Sequence, residues 1–176
     1  MFKRKYLPQF VYGSIDGTIT TFAVVAGAIG ASFSSTIILI LGFANLFADG
    51  FSMAISSYLS SKSDNDLHLN HKPPKIDSQK SYSPSKKAIV TFISFLAIGI
   101  IPLLSFLLAL VLPQIVNIQF QLSFILTAVA LIIIGYIKGI VVNNHPIKSS
   151  LETLGIGSVA ALLAFLAGFL LKNLIG

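Results

Sequence analysis

Long uncharged runs alternate with short polar clusters along the chain. Residues 17–48 carry no charge, and this run of 32 is too long for one membrane-spanning helix, which needs about 20 apolar residues. The cluster GASFSS at 30–35 divides it into two. Residues 88–137 form a second uncharged run of 50 positions, which Pro113 interrupts. Residues 153–171 form a third run of 19.

This pattern predicts an all-α membrane protein with five transmembrane helices in a single domain, 1–176. The predicted helices span about 10–31, 35–60, 87–112, 120–142 and 150–171, and a cytoplasmic linker spans 62–86. Pro102 lies within the third predicted helix, where a proline is expected to introduce a kink.

Composition excludes an ordinary soluble domain. Hydrophobic residues make up 55% of the chain and charged residues 10%, whereas soluble proteins carry about 25% charged residues. The mean hydropathy is +0.87. The absence of cysteine excludes disulfides and a thiolate metal site.

The basic residues predict the orientation in the membrane. Eleven precede helix 1, follow helix 2 up to the start of helix 3, or flank the turn between helices 4 and 5, and only Lys172 falls on the opposite side. The positive-inside rule therefore places the N-terminus in the cytoplasm and the C-terminus outside. This topology explains the net charge of +6, so no nucleic-acid partner is expected. A cleaved signal peptide is the alternative for the N-terminus, but Pro8, Gln9 and Asp16 interrupt its apolar stretch.

Asp16 and Asp49 are the only acids in the first 63 residues, and both fall within predicted transmembrane helices. A carboxylate in hydrocarbon costs several kcal/mol unless it has a partner, water or a function, so an ion or proton path is the first hypothesis. At 1.5 Å rise per residue, Asp16 and Met53 lie ~9 and ~10 Å from the cytoplasmic ends of their helices. Asp49 lies deeper, at ~16 Å.

Helical spacing places further candidate ligands on one face. Asn45, Asp49 and Met53 follow one another at intervals of four residues. A carboxylate and a thioether together suit a borderline metal such as Fe²⁺ or Mn²⁺ better than Mg²⁺ or Ca²⁺. Small residues repeat with the same spacing and predict close helix packing in lipid; they are Ala44, Ala48, Ser52 and Ser56 in helix 2, Gly27 and Ala31 in helix 1, and Ala160, Ala164 and Gly168 in helix 5.

Two stretches, YGSIDGTITTFAVVAGAIGA and GFANLFADGFSMAISSYLSSKS, resemble the signatures of helices 1 and 2 in the vacuolar iron transporter family, which includes nodulin-21-like proteins. The resemblance implies a five-helix homodimer with the metal path at the dimer interface. It also implies export of divalent iron or manganese from the cytoplasm in exchange for protons. Asp16 matches the family's essential helix 1 acid, which would carry metal and proton in turn, and Met53 matches its methionine ligand. Asp49 belongs to the shared motif and is a further candidate ligand, and Asn45 is another.

The chain departs from the family pattern after helix 2. Characterised relatives have a long Glu-rich domain there that collects metal, whereas residues 62–87 contain no glutamate. The resemblance therefore implies a short form that lacks the capture domain. The run DNDLHLNH supplies candidate weak metal-loading ligands, which are Asp64, Asp66, His68 and His71; the alternative is a solvated linker. Ser57 also stands where relatives often carry an acid.

Three functions remain open from the sequence. The first is a proton-coupled transporter of Fe²⁺ or Mn²⁺ with no permanently bound cofactor. The second is a non-transporting membrane scaffold that has lost metal capture. The third is an intramembrane aspartyl protease, but the depth difference between the two acids argues against a dyad, and no enzyme activity is expected. We expect a prokaryotic inner membrane, or an organelle membrane if the source is eukaryotic.

Overall fold

The computed structural model describes residues 6–70 and 83–175, which are helical apart from short turns. The helices are α1 (Leu7–Gly30), α2 (Ser35–Asn70), α3 (Pro84–Gly99), α4 (Ile101–Val111), α5 (Gln119–Val141) and α6 (Pro146–Ile175). A 3₁₀ segment, Pro113–Ile118, joins α4 to α5. The predicted all-α class is confirmed.

Within residues 6–70 and 83–175, four helical stretches are long and apolar enough to cross a membrane: α1, α2 up to Leu67, α5 with the preceding 3₁₀ segment, and α6. The pair α3 and α4 passes the same test only as one span, bent by 47° at the junction. The predicted count of five spans is therefore met when this pair is taken as a single broken span.

The bend in the third span begins at Ile100, two residues before the proline that the sequence singles out. Pro102 occupies the first turn of α4, where its missing N–H would have no helical partner in any case. The hydroxyl of Ser123 in α5 donates a hydrogen bond of 2.6 Å to the Pro102 carbonyl oxygen. The bend is thus fixed from both sides: proline starts a new helix, and α5 binds its first turn.

α2 extends ten residues beyond the predicted end at 60, because residues 61–70 contain neither proline nor glycine. The first part of the predicted linker is consequently helical, and the segment 71–82 lies outside the described residues. α3 begins at Pro84, a residue suited to a helix N-terminus, rather than at the predicted 87.

α1 is the central helix and packs against α2, α3, α4, α5 and α6. Its glycines bring backbones together: a Cβ on Gly17 would lie 2.5 Å from the carbonyl oxygen of Phe95 in α3. At the other end of α1, Gly168 of α6 packs directly on the Gly27 carbonyl. Two of the predicted small-residue pairs therefore meet each other, one from α1 and one from α6.

The small-residue stripe of α2 has a different environment. Ala44, Ala48, Ser52 and Ser56 are all exposed on the surface of the chain. Large apolar side chains beside the stripe, including Phe47, Phe51 and Ile55, are exposed as well. This face of α2 is therefore available for contact with lipid or with another protein.

Candidate metal pathway

Asp16 is a half-buried acid on the central helix. The hydroxyl of Thr20 donates to the backbone carbonyl oxygen of Asp16, at 2.8 Å, and so does not neutralise the carboxylate. Among the described residues, no hydrogen bond or ion pair reaches that carboxylate. A carboxylate in a membrane-spanning helix with no internal partner is available for a cation or a proton.

Asp49 lies close enough to Asp16 for their charges to repel each other. It is half-buried on the neighbouring helix α2. One turn away, the amide nitrogen of Asn45 is buried and donates no hydrogen bond to any described residue. The two predicted acids thus lie on α1 and α2, which pack against each other, and an unpartnered amide lies one turn from Asp49. A divalent cation between the acids would relieve their mutual repulsion.

Met53 lies one turn beyond Asp49 and lines a cavity of about 470 Å³, which we call the vestibule. The vestibule is lined by Pro8, Gln9 and Tyr12 of α1, by Met53, Ser56, Ser57, Ser60, Ser61 and Asp64 of α2, and by Lys87 of α3. The hydroxyl of Thr91 in α3 lies 3.5 Å from the Ser57 hydroxyl, to which it donates. Contacts between α2 and α3 thus support one wall of the cavity.

Polar residues that line the vestibule and the two acids, Asp16 and Asp49, lie on the same two antiparallel helices, α1 and α2. Gln9, Tyr12 and Asp16 follow one another on a single face of α1. On α2, Asp49 and Met53 occupy successive turns on the facing side. Asp16 is not part of the vestibule wall, but it lies one turn beyond Tyr12, which is. Met53 lines the vestibule, whereas Asp16 and Asp49 lie one turn farther along their helices.

The four predicted loading residues are not gathered into one site. Asp64 lines the vestibule, whereas Asp66 is exposed and does not. His68 lies on α2, but its side chain is outside the described part of the chain, as is the whole of His71. Within residues 6–70 and 83–175, no three His, Cys, Asp or Glu side chains converge as a metal-binding group.

Sequence reasoning missed the hydroxyl wall of the vestibule. The serines at 56, 57, 60 and 61 repeat at intervals of three and four residues and continue the face of Met53. The sequence pattern assigns Ser56 to a packing stripe and Ser57 to the replacement of an acid. The three- and four-residue spacing of these serines can be read from the sequence. However, the predicted helix 2 ends at 60, so the prediction does not place Asp64 on the same helix.

Comparison with known families gives a match over nearly the whole chain. The profile of the VIT family matches residues 7–75 and 67–169. A vacuolar iron transporter of Plasmodium falciparum is 29% identical over 225 residues, covering 95% of this chain and 82% of the relative. Vacuolar iron transporter 1 of Eucalyptus grandis is 28% identical over 210 residues, covering 89% of this chain and 83% of the relative.

The relatives carry residues that this chain lacks. The alignment with the Plasmodium falciparum protein is 225 residues long, whereas this chain has 176. The two segments of the family match meet at 67–75, the end of α2 and the start of the segment that follows it. This is where the sequence predicted that a longer domain is missing.

Proposed function

The chain belongs to the VIT family, and on that basis we propose that it is a membrane transporter that exports iron from the cytoplasm in exchange for protons. Its relatives are named vacuolar iron transporters. The observation that carries the proposal is Asp16, a carboxylate without an internal partner on the central helix. A second acid, Asp49, lies on the helix packed against it, and Tyr12, one turn before Asp16, lines a polar cavity together with Met53.

In the proposed cycle, the Asp16 carboxylate binds metal and proton alternately. Metal from the cytoplasm passes the vestibule, displaces the proton from Asp16 and binds between the two helices. A proton from the opposite side then displaces the metal, which leaves outward. No basic residue occurs in the membrane-spanning parts of α1 and α2 to hold the carboxylate in a permanent ion pair. Asp16 can therefore change partners.

Met53 supports a preference for Fe²⁺ or Mn²⁺ over Mg²⁺ or Ca²⁺. A thioether is a soft ligand, and hard cations bind almost entirely to oxygen. Asp16, Asp49 and Met53 would supply two carboxylates and one sulfur, with the Asn45 amide beside them. The metal in this account is the substrate and not a resident cofactor, and the proposed activity is transport without an enzymatic step.

We also propose that the protein is a homodimer that pairs through α2. The exposed stripe of Ala44, Ala48, Ser52 and Ser56 is adjacent to the face that carries the candidate ligands. Small residues allow backbones to approach closely in lipid. A two-fold pairing would bring two sets of candidate ligands together. One chain alone supplies too few ligands for the six-fold coordination that is common for such ions.

A cysteine placed in the stripe is expected to cross-link the proposed dimer. The chain contains no cysteine, so Ser52→Cys adds a single thiol. Mild oxidation in membranes should convert most of this variant into a disulfide-linked dimer on a non-reducing gel. Ser158→Cys, an exposed position on α6, serves as the matched control and should remain monomeric. Equal cross-linking of the two variants would contradict pairing through α2.

The second candidate function is a membrane scaffold that no longer transports metal. The residues that relatives carry after α2 and that this chain lacks favour it, because the resemblance implies that they collect metal. A scaffold of this kind does not need the Asp16 carboxylate, which is costly in a membrane and forms no hydrogen bond or ion pair with a described residue. The two functions differ in whether the folded protein binds metal.

Metal is expected to stabilise the protein against heat through Asp16. Binding at 100 times the dissociation constant adds about 2.7 kcal/mol to the free energy of unfolding, which corresponds to a rise in melting temperature of several degrees. Thermal unfolding of the detergent-solubilised protein, with and without Fe²⁺ or Mn²⁺, measures this shift. Asp16→Asn should remove most of the shift, and its metal-free melting temperature should equal or exceed that of the wild type because a half-buried charge is removed. A wild-type protein indifferent to both metals would favour the scaffold.

The membrane helices show that the protein is embedded in a membrane, but not in which one. The chain is an integral membrane protein, and its relatives are named for the vacuole. For this chain we propose a prokaryotic inner membrane, with the N-terminus in the cytoplasm, as the distribution of basic residues predicts.

A further inference from the structure

The vestibule has its own set of potential ligands, distinct from the acids deeper in the membrane. We propose that it is a metal-loading site that holds a hydrated divalent cation against serine hydroxyls and the Asp64 carboxylate, and that Lys87 limits its affinity. This inference rests on the proposed function for the route that the cation takes afterwards. The vestibule would then collect the metal in a chain that lacks the residues its relatives carry after α2.

The wall of the vestibule is rich in oxygen. Four serines from two consecutive turns of α2 line it: Ser56, Ser57, Ser60 and Ser61. On the opposite wall, the side-chain oxygen of Gln9 is buried and accepts no hydrogen bond from any described residue. A buried acceptor without a partner is costly, and a turn of the Gln9 side chain toward the cavity would let a water molecule of a hydrated cation satisfy it. Hydroxyl and amide oxygens are also the groups that contact the water shell of a hard or borderline cation.

The volume of the vestibule suits a cation with its water shell. Six waters at ~30 Å³ each occupy roughly 180 Å³, and the cavity measures about 470 Å³. The ion can therefore enter without losing its waters, so binding should be weak and exchange rapid. Met53 lies in the same wall, and the replacement of water by protein ligands would begin there.

Two opposite charges line the vestibule, and they should act in opposite directions. Asp64 attracts a divalent cation, whereas Lys87 repels it. Each has a neighbour of the same charge that does not line the cavity: Asp66 on α2 and Lys86 on α3 are both exposed. These neighbours provide matched controls for the general effect of surface charge.

Concentration-dependent Mn²⁺ flux in liposomes tests the site. Asp64→Asn should raise the half-saturating Mn²⁺ concentration about 3- to 10-fold at an unchanged maximal rate, and Lys87→Gln should lower it by a similar factor. Asp66→Asn and Lys86→Gln should shift it less than about 2-fold, because their side chains do not line the vestibule and solvent screens charges at a distance. The gain in Lys87→Gln is informative because misfolding would not increase apparent affinity. If the vestibule variants behave like their controls while the wild type transports, the loading site is refuted and the transporter stands.

Equilibrium binding separates failure of the site from failure of the proposed function. The purified protein with the Asp16→Asn substitution is titrated with Mn²⁺. Bound Mn²⁺ is measured from the decrease in the electron paramagnetic resonance signal of free Mn²⁺. Weak binding that Asp64→Asn decreases and Lys87→Gln increases would support the loading site even if the wild type moved no metal. Binding that none of the four substitutions alters, or that the control substitutions alter equally, would overturn it.

Discussion

Replacing Asp16 by Asn is expected to reduce proton-coupled metal flux to the level of empty liposomes. Asparagine has nearly the same shape as aspartate but carries no charge and does not take up a proton. The variant therefore loses both the anionic ligand and the proton carrier of the proposed cycle. Initial rates of Fe²⁺ and Mn²⁺ transport under an imposed pH gradient measure the effect.

Thr20→Ala is the matched control for this substitution. Its hydroxyl bonds to the backbone carbonyl of Asp16, so its removal alters the same face of α1 without touching the carboxylate. We expect this control to retain most of the wild-type rate. Asp16→Asn protein that transports at the wild-type rate would refute the proposed mechanism.

Replacing Gly17 by Ala is expected to destabilise the fold by about 1–3 kcal/mol, the usual cost of inserting a group into a filled site. The new Cβ would lie 2.5 Å from the Phe95 carbonyl oxygen and 3.1 Å from two further Phe95 backbone atoms. Backbone atoms cannot rotate away as a side-chain end can, so α1 and α3 must separate. For a protein of this size, the melting temperature should fall by roughly 2–4 °C per kcal/mol.

Gly155→Ala provides the control for the loss of a glycine from a helix. A Cβ at Gly155 meets nothing within 4 Å, and alanine favours a helix by about 1 kcal/mol over glycine. The melting temperature of this variant should therefore be unchanged or slightly higher. If both substitutions lowered it by the same amount, the close contact between α1 and α3 would not be the cause.

The spans could be predicted because the uncharged runs and their interruptions are local features of the sequence. The details at helix ends could not, because they depend on neighbouring helices. The bend at Ile100 is set partly by the hydrogen bond from Ser123 to Pro102, which lie 21 positions apart. Lys138 forms an ion pair of 3.3 Å with Glu152 across the turn between α5 and α6, a pairing that helical spacing within α6 does not predict.

The candidate acids Asp16 and Asp49 could be predicted for a physical reason. A charged aspartate in an apolar membrane helix costs free energy and is rare, so each one indicates a function. The juxtaposition of Asp16 and Asp49 and the exposure of the α2 stripe required the packed structure. Gln9 and Lys87 could not be predicted as members of one cavity, because they come from different helices and neither is unusual in its own segment.

Simultaneous recording of metal and proton movement tests the central claim most directly. Wild-type protein is reconstituted in liposomes that contain a pH indicator and a metal indicator, and Fe²⁺ is added outside without oxygen and without a pre-set pH gradient. The account predicts that Fe²⁺ uptake drives protons out, so that the lumen becomes alkaline in step with the metal signal. Fe²⁺ uptake with no change in luminal pH would contradict proton exchange, and the absence of both signals from well-folded protein would contradict transport itself.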